Sequence, residues 1–150
     1  MTPAAPGREV VEVALGARRS YRVHIGPALL DSVGEIVSSL GFSGRCAIVT
    51  DSVVEKLYAS RVATALSHWQ PVVITVPAGE KSKSLSQTAE VCDQMIAAGL
   101  DRSAFIVALG GGVVGDLAGF VAAIYYRGVP YVQVPTTVVA QVDSSGNTRS

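Results

Sequence analysis

The sequence predicts an α/β fold, a parallel sheet with helices on both faces, preceded by a β-hairpin. Three observations predict it. Short apolar runs recur at 46–49, 72–76, 105–109 and 131–134. The segments between them carry helical spacing or helix start and stop signals. The 150 residues are 49% hydrophobic and 16% charged, enough to build one domain with a sizeable core. Strands alternating with helices imply parallel pairing, because a parallel crossover needs a connection of about a dozen residues.

Along the chain, residues 9–13 and 21–25 flank Gly16 and alternate with period two, as a hairpin does. From Pro27 to Leu40 the apolar positions Leu29, Leu30, Val33, Ile36, Val37 and Leu40 follow helical spacing, and Gly41 ends the helix. After the first buried strand, Ser52 with Glu55 reads as a capping box. After the second, the polar loop 78–83 leads to another, Ser84 with Gln87, whose helix runs to about Ala98 before Gly99. After the third, residues 117–126 are apolar on all sides, which predicts a buried helix.

Several function classes are excluded at this level. Twelve basic and twelve acidic residues cancel, so no net field favours nucleic acid or an anionic membrane. The first ten residues, MTPAAPGREV, hold no signal-peptide core, and glycines interrupt the most apolar stretch, 105–126. The expectation is a cytoplasmic protein. Cys46 and Cys92 make no metal-ligand spacing and read as buried thiols. His24 and His68 have no partner at ligand spacing and read as structural.

In such sheets ligands bind beyond the carboxyl ends of the strands, so the loops starting at Thr50, Pro77, Gly110 and Pro135 matter most. The strongest motif is Gly110-Gly111-Gly112-Val113-Val114-Gly115-Asp116, a G-x-G-x-x-G that follows a strand and opens a helix. Glycines let backbone approach a pyrophosphate, and helix N-terminal amides face it with partial positive charge. A tight strand-to-helix turn would also use glycine. Ordinary Rossmann-like sites place a ribose-binding acid about 20 residues further on. The stretch 128–135 has none, so Asp51 becomes the candidate, with a turn residue ahead of Ser52 as the alternative.

Asp116 suits either a ligand or the helix dipole. Glu80 and Lys83 belong to a charged loop that could simply be solvated. Thr136 and Thr137 could bond ligand hydroxyls or cap a helix. Arg127 suits a planar anion or a helix C-terminus.

The blocks PAGEKSKSL, AGLDRSAFIVALGGGVVGDLAGFVAAIYYRGVPYVQVPTT and AQVDSS resemble successive blocks of the dehydroquinate synthases, most densely over 77–145. The resemblance implies an NAD-binding N-terminal domain over 1–150 and a helical C-terminal domain that this chain lacks. It implies conversion of 3-deoxy-D-arabino-heptulosonate 7-phosphate to 3-dehydroquinate and phosphate in the shikimate route. NAD would be recycled, a divalent metal (zinc or cobalt) would act as Lewis acid, and the full-length enzyme would be a homodimer. By position, the NAD contacts would be Asp51, Glu80, Lys83, Gly111, Gly112, Val113, Asp116, Thr136 and Thr137. The substrate contacts would be Arg127 and Asp143.

After VDSS the family pattern continues with a valine, two glycines, a lysine and a threonine. This chain reads Gly146-Asn147-Thr148-Arg149-Ser150 instead, so that lysine has no counterpart. The metal ligands would fall in the absent domain. The expectation is therefore a truncated chain, inactive alone, with an exposed apolar surface and a tendency to self-associate. The other expectations are a related cyclase of the 2-epi-5-epi-valiolone or aminodehydroquinate synthase type, or a non-catalytic nucleotide-binding remnant.

Overall fold

The computed structural model describes residues 9–14, 20–25 and 29–136. Strands β1 (Glu9–Ala14) and β2 (Ser20–Ile25) pair antiparallel as a separate ribbon, with Glu9 opposite Ile25. Then come α1 (Val33–Ser39), β3 (Cys46–Asp51), α2 (Ser52–Val54), α3 (Ser60–Ala65), β4 (Val72–Val76), α4 (Leu85–Ala97), β5 (Phe105–Gly110), α5 (Gly112–Ile124) and β6 (Tyr131–Pro135). Strands β3 to β6 form one parallel sheet in the order β4-β3-β5-β6. The expected parallel sheet and the preceding antiparallel pair are both present.

Central strands β3 and β5 explain the near-continuous apolar runs. Alternate residues face opposite sides, and both sides are covered. Ala47, Val49, Ile106 and Ala108 pack with Val91 and Met95 of α4 and with Leu117 and Val121 of α5. Cys46, Ile48, Phe105 and Val107 pack with Val37 of α1 and Val62 of α3. Each large aliphatic or aromatic side chain buried here contributes about 1.5–3 kcal/mol. Burial pushes the Cys46 thiol up to about 12, an inert thiol, and raises Cys92 as well.

Gly41 and Gly99 terminate α1 and α4 with φ of 77° and 81°, the left-handed geometry that a stop glycine supplies. Arg45 ties the amino ends of the sheet together. Its Nη1 donates to Ala98 O at 2.6 Å and its Nε to Gln70 O at 3.2 Å.

Three expectations need correction. The helix placed over Pro27 to Leu40 begins as a 3₁₀ turn, Leu29–Ser32, and becomes α-helical only at Val33; Pro27 lies outside the described residues. The capping box at Ser52 does not form. β3 extends to Asp51, whose Oδ1 accepts from the N–H groups of Val53 and Val54 at 2.9 and 2.8 Å. Two cap-forming residues stand side by side, and the first of them takes the cap because its backbone is still extended. The helix expected to be buried all round is α5, and it exposes Phe120 and Ile124, with Tyr126 beyond its end. Its other face holds the core; nothing in the described chain covers this one.

The second box forms by half: Ser84 Oγ accepts from Gln87 N–H at 3.1 Å, while the Gln87 side chain turns toward Glu90. A π-turn at Glu55–Ala59 joins α2 to α3 beside the end of β3. There Thr50 is fully buried and its Oγ1 has no hydrogen-bond partner among the described residues. A lone buried hydroxyl costs about 1–3 kcal/mol in desolvation. Thr50→Val is therefore expected to stabilise the chain by about 1 kcal/mol, read as a higher urea midpoint at unchanged slope. An unchanged or lower midpoint would show that the hydroxyl is satisfied in solution.

Candidate functional site

The strand order locates the site. From β3 the chain moves outward to β4, then returns to lay β5 on the other side of β3. The order reverses between β3 and β5, the point beyond whose carboxyl ends open α/β sheets bind ligands. β3 delivers Asp51 to this point, and β5 delivers Gly110, Gly111 and Gly112.

Three helices start at this edge, after β3, β4 and β5. Asp51 caps α2 and Ser84 caps α4, but α5 starts at Gly111 with no side-chain cap. Its first intrahelical bond runs from Gly115 N to Gly111 O at 3.0 Å, so the amides of Gly112, Val113 and Val114 point out of the helix end. Partial positive charge thus gathers where a ligand anion can sit.

The glycines have different reasons. None of Gly110, Gly111 and Gly112 has positive φ, so the turn does not require glycine for its backbone shape. At Gly110 a Cβ would meet Val114 Cβ at 2.9 Å, which explains that glycine by packing. At Gly112 a Cβ would meet nothing within 4 Å among the described residues. The space left there would let a ligand approach the backbone closely. Gly115 and Gly119 let α5 lie against β6, with Gln133 Oε1 at 3.2 Å and the Tyr131 hydroxyl at 3.3 Å from where a Cβ would stand. Gln133 was missed at the sequence level; a single polar residue in the run 131–134 was its only signal.

The loop after β4 is built onto the same edge. Ser52 Oγ accepts from Ala78 N–H at 3.3 Å, tying the loop after β3 to the loop after β4. Ser82 is buried and its hydroxyl donates to Pro77 O. A 3₁₀ turn, Glu80–Ser82, then presents Lys83, whose Nζ lies 3.0 Å from Asp116 Oδ2. Asp116 is the fifth residue of α5 rather than its first, one turn above Gly112 on the same face. Beyond β6, Thr136 N–H donates to Gly110 O at 3.0 Å and joins the turn from the other side.

Asp51, Glu80, Lys83, Gly111, Gly112, Val113, Asp116 and Thr136 thus lie along one edge, at the end of β3, in the loops and in the first turns of α5. Thr137 and Asp143 lie outside the described residues. Arg127 lies elsewhere: α5 carries the chain about 18 Å from Gly112 before reaching it, at 1.5 Å per residue. There Tyr126 and Arg127 hold φ of 46° and 65°, a left-handed pair that costs on the order of 1 kcal/mol per residue. At that amino edge a cavity of about 260 Å³ is lined by Arg45, His68, Gln70 and Asp101 among others. Hydrogen bonds from Ser103 hold Asp101 below its usual carboxylate range. Among the described residues no three His, Cys, Asp or Glu side chains converge to hold a metal, and no helix is long and apolar enough to cross a membrane.

Strand order and helix start define the class, a doubly wound α/β domain with an uncapped glycine turn at its switch point. The profile described as 3-dehydroquinate synthase N-terminal matches residues 73–149, and the chain belongs to that family. It is 48% identical over 137 residues to the 3-dehydroquinate synthase of Desulforamulus reducens, covering 90% of this chain and 38% of that protein. Among solved structures, a 2-deoxy-scyllo-inosose synthase complexed with carbaglucose-6-phosphate, NAD+ and Co2+ superimposes with TM-score 0.79 at 28% identity, covering 91% and 37% of the two chains. The 2-epi-5-epi-valiolone synthase of Streptomyces hygroscopicus subsp. jinggangensis, with NAD+ and Zn2+ bound, gives 0.64 at 34%, covering 83% and 35%. The chain spans a little over a third of the length of these relatives.

Proposed function

We propose that this chain is the NAD-binding part of a 3-dehydroquinate synthase, the cytoplasmic enzyme that converts 3-deoxy-D-arabino-heptulosonate 7-phosphate to 3-dehydroquinate and phosphate. The observation that carries the reading is the open space over Gly112 at an uncapped helix start, on the switch point of a parallel sheet. The family match and the NAD-bound relatives support it.

The residues present fit a dinucleotide. The amides of Gly112, Val113 and Val114 would hold a diphosphate, and Gly112 would let it approach the backbone. Asp51 would accept from ribose hydroxyls, and Thr136 would border the turn from the β6 side. Bound there, NAD supplies reversible oxidation of a substrate hydroxyl. The described residues do not fit the family's divalent metal, since no three His, Cys, Asp or Glu side chains among them converge. Arg127 and Asp143 stand as proposed substrate contacts. In the whole enzyme, a homodimer on this reading, substrate and metal are engaged together with residues beyond the span matched here.

Isothermal titration calorimetry of this chain with NAD+ tests the reading, and saturable binding is expected. Incubation with the heptulosonate phosphate, NAD+ and Zn2+ is expected to release no phosphate above background. Absence of NAD+ binding overturns the cofactor assignment, and enzyme-like phosphate release overturns the restriction to a cofactor-binding part.

A further inference from the structure

We infer that Tyr131 and Gln133 of β6 are positioning residues for the glycine turn: they fix α5 along its axis and so set where its free amides meet a ligand anion. The inference rests on the cofactor reading above and adds to it two residues that are not among its proposed contacts.

Tyr131 and Gln133 alternate with Val132 and Val134, so both face the side of the sheet that α5 covers. Two rungs connect strand and helix. A Cβ at Gly115 would stand 3.2 Å from Gln133 Oε1, and one at Gly119 would stand 3.3 Å from the Tyr131 hydroxyl and 3.4 Å from its Cζ. The spacings match: two residues of strand advance about 6.6 Å and four residues of helix about 6 Å. Glycine at both positions lets the two polar side chains lie this close to the helix backbone. Gln133 Nε2 donates to the Tyr131 hydroxyl at 3.4 Å and joins one rung to the next. α5 cannot slide along β6 without carrying neighbouring side chains into these contacts. Further along the same strand, Thr136 N–H donates to Gly110 O at 3.0 Å, so β6 holds both the helix and the start of the turn.

Packing alone would not choose Gln133. A half-buried amide gives up water, whereas leucine or methionine there would bury apolar surface against α5. What the polar pair supplies is position. The amides of Gly112, Val113 and Val114 are held by no side-chain cap, so their place over the sheet follows that of α5 as a whole. Hydrogen bonds weaken steeply as distance and angle depart from the optimum, so a small shift of the helix changes what those amides can hold.

The test is a compensating pair at the rung farther from the turn, read by calorimetry with NAD+: Gly119→Ala, Tyr131→Val and both together. Gly119→Ala is expected to weaken binding about fivefold, because its methyl group meets the Tyr131 ring and displaces α5. In the Tyr131→Val background, where the ring is gone, the same substitution is expected to cost less than about twofold. In the ligand-free chain the backbone amide signals of Gly112, Val113 and Val114, more than a turn away, are expected to move in Gly119→Ala and to return in the double variant. A seam that only holds the fold together would lower the melt while affinity and those signals stay in place, and that result overturns the inference. An equal loss of affinity in both backgrounds overturns it too. Should Gly119→Ala fail to fold, Gly115→Ala with Gln133→Ser repeats the cycle at the other rung. If the parent chain binds no NAD+ while the amide signals respond as expected, the cofactor reading falls and the positioning of the turn stands.

Discussion

Gly112→Val is expected to weaken NAD+ binding at least about a hundredfold while changing unfolding free energy by less than about 1 kcal/mol. The two halves have separate causes. Among the described residues a Cβ at Gly112 meets nothing within 4 Å, so the branch point of the new side chain has room. At the first position of α5 it also exchanges the most flexible residue for one with slightly better helix propensity. The same Cβ and its methyl groups occupy the space over the helix-end amides, and a diphosphate can no longer come within hydrogen-bonding distance of them. Gly110→Ala is the matched control. Its Cβ would stand 2.9 Å from two atoms of buried Val114, so it is expected to cost about 1–3 kcal/mol through overpacking. Thermal melts and calorimetric titrations of both variants separate the two roles. Unimpaired NAD+ binding by Gly112→Val would remove the physical basis for placing the diphosphate at this turn.

That division among three adjacent glycines was not legible in the sequence, which offered one motif with two explanations. The alternation of strand and helix was legible, because β3 and β5 are buried apolar runs, β4 is an apolar run half-buried at the sheet edge, and each is followed by its own helix start. Pairing order was not. Nothing local to Cys46–Asp51 or Phe105–Gly110 says that these strands are neighbours, and the switch point exists only because they are. The Lys83–Asp116 pair joins residues far apart in the chain through a loop whose charges alone looked merely solvated.

Arg127 shows the converse limit. A 13-residue helix separates the glycine turn from Arg127, a spatial separation that their closeness in sequence does not convey. The apolar surface of α5 was read correctly as apolar and wrongly as covered. Periodicity reports what a helix face prefers to touch, while Phe120 and Ile124 remain about half exposed because their cover is not supplied by the described residues.

Asp51 joins two roles in one carboxylate, and two substitutions are expected to part them. Oδ1 already accepts the N–H groups of Val53 and Val54, an N-cap that holds the start of α2 at the end of β3. Asp51→Ala removes that cap and is expected to cost about 1–2 kcal/mol of stability. Asp51→Ser restores a side-chain oxygen for the cap, so its melt should fall within about 0.5 kcal/mol of the parent. Neither variant keeps the negative charge at the switch point. If the carboxylate also receives ribose hydroxyls, both variants lose NAD+ affinity by about ten- to a hundredfold, the range for hydrogen bonds to a charged partner. The same charge repels a 2′-phosphate, so Asp51→Ser should narrow the preference for NAD+ over NADP+ as well. A serine variant that binds both cofactors as the parent does would confine Asp51 to capping. The ribose would then need another acceptor, and Glu80, on the 3₁₀ turn that presents Lys83, is the acid that the loop after β4 supplies.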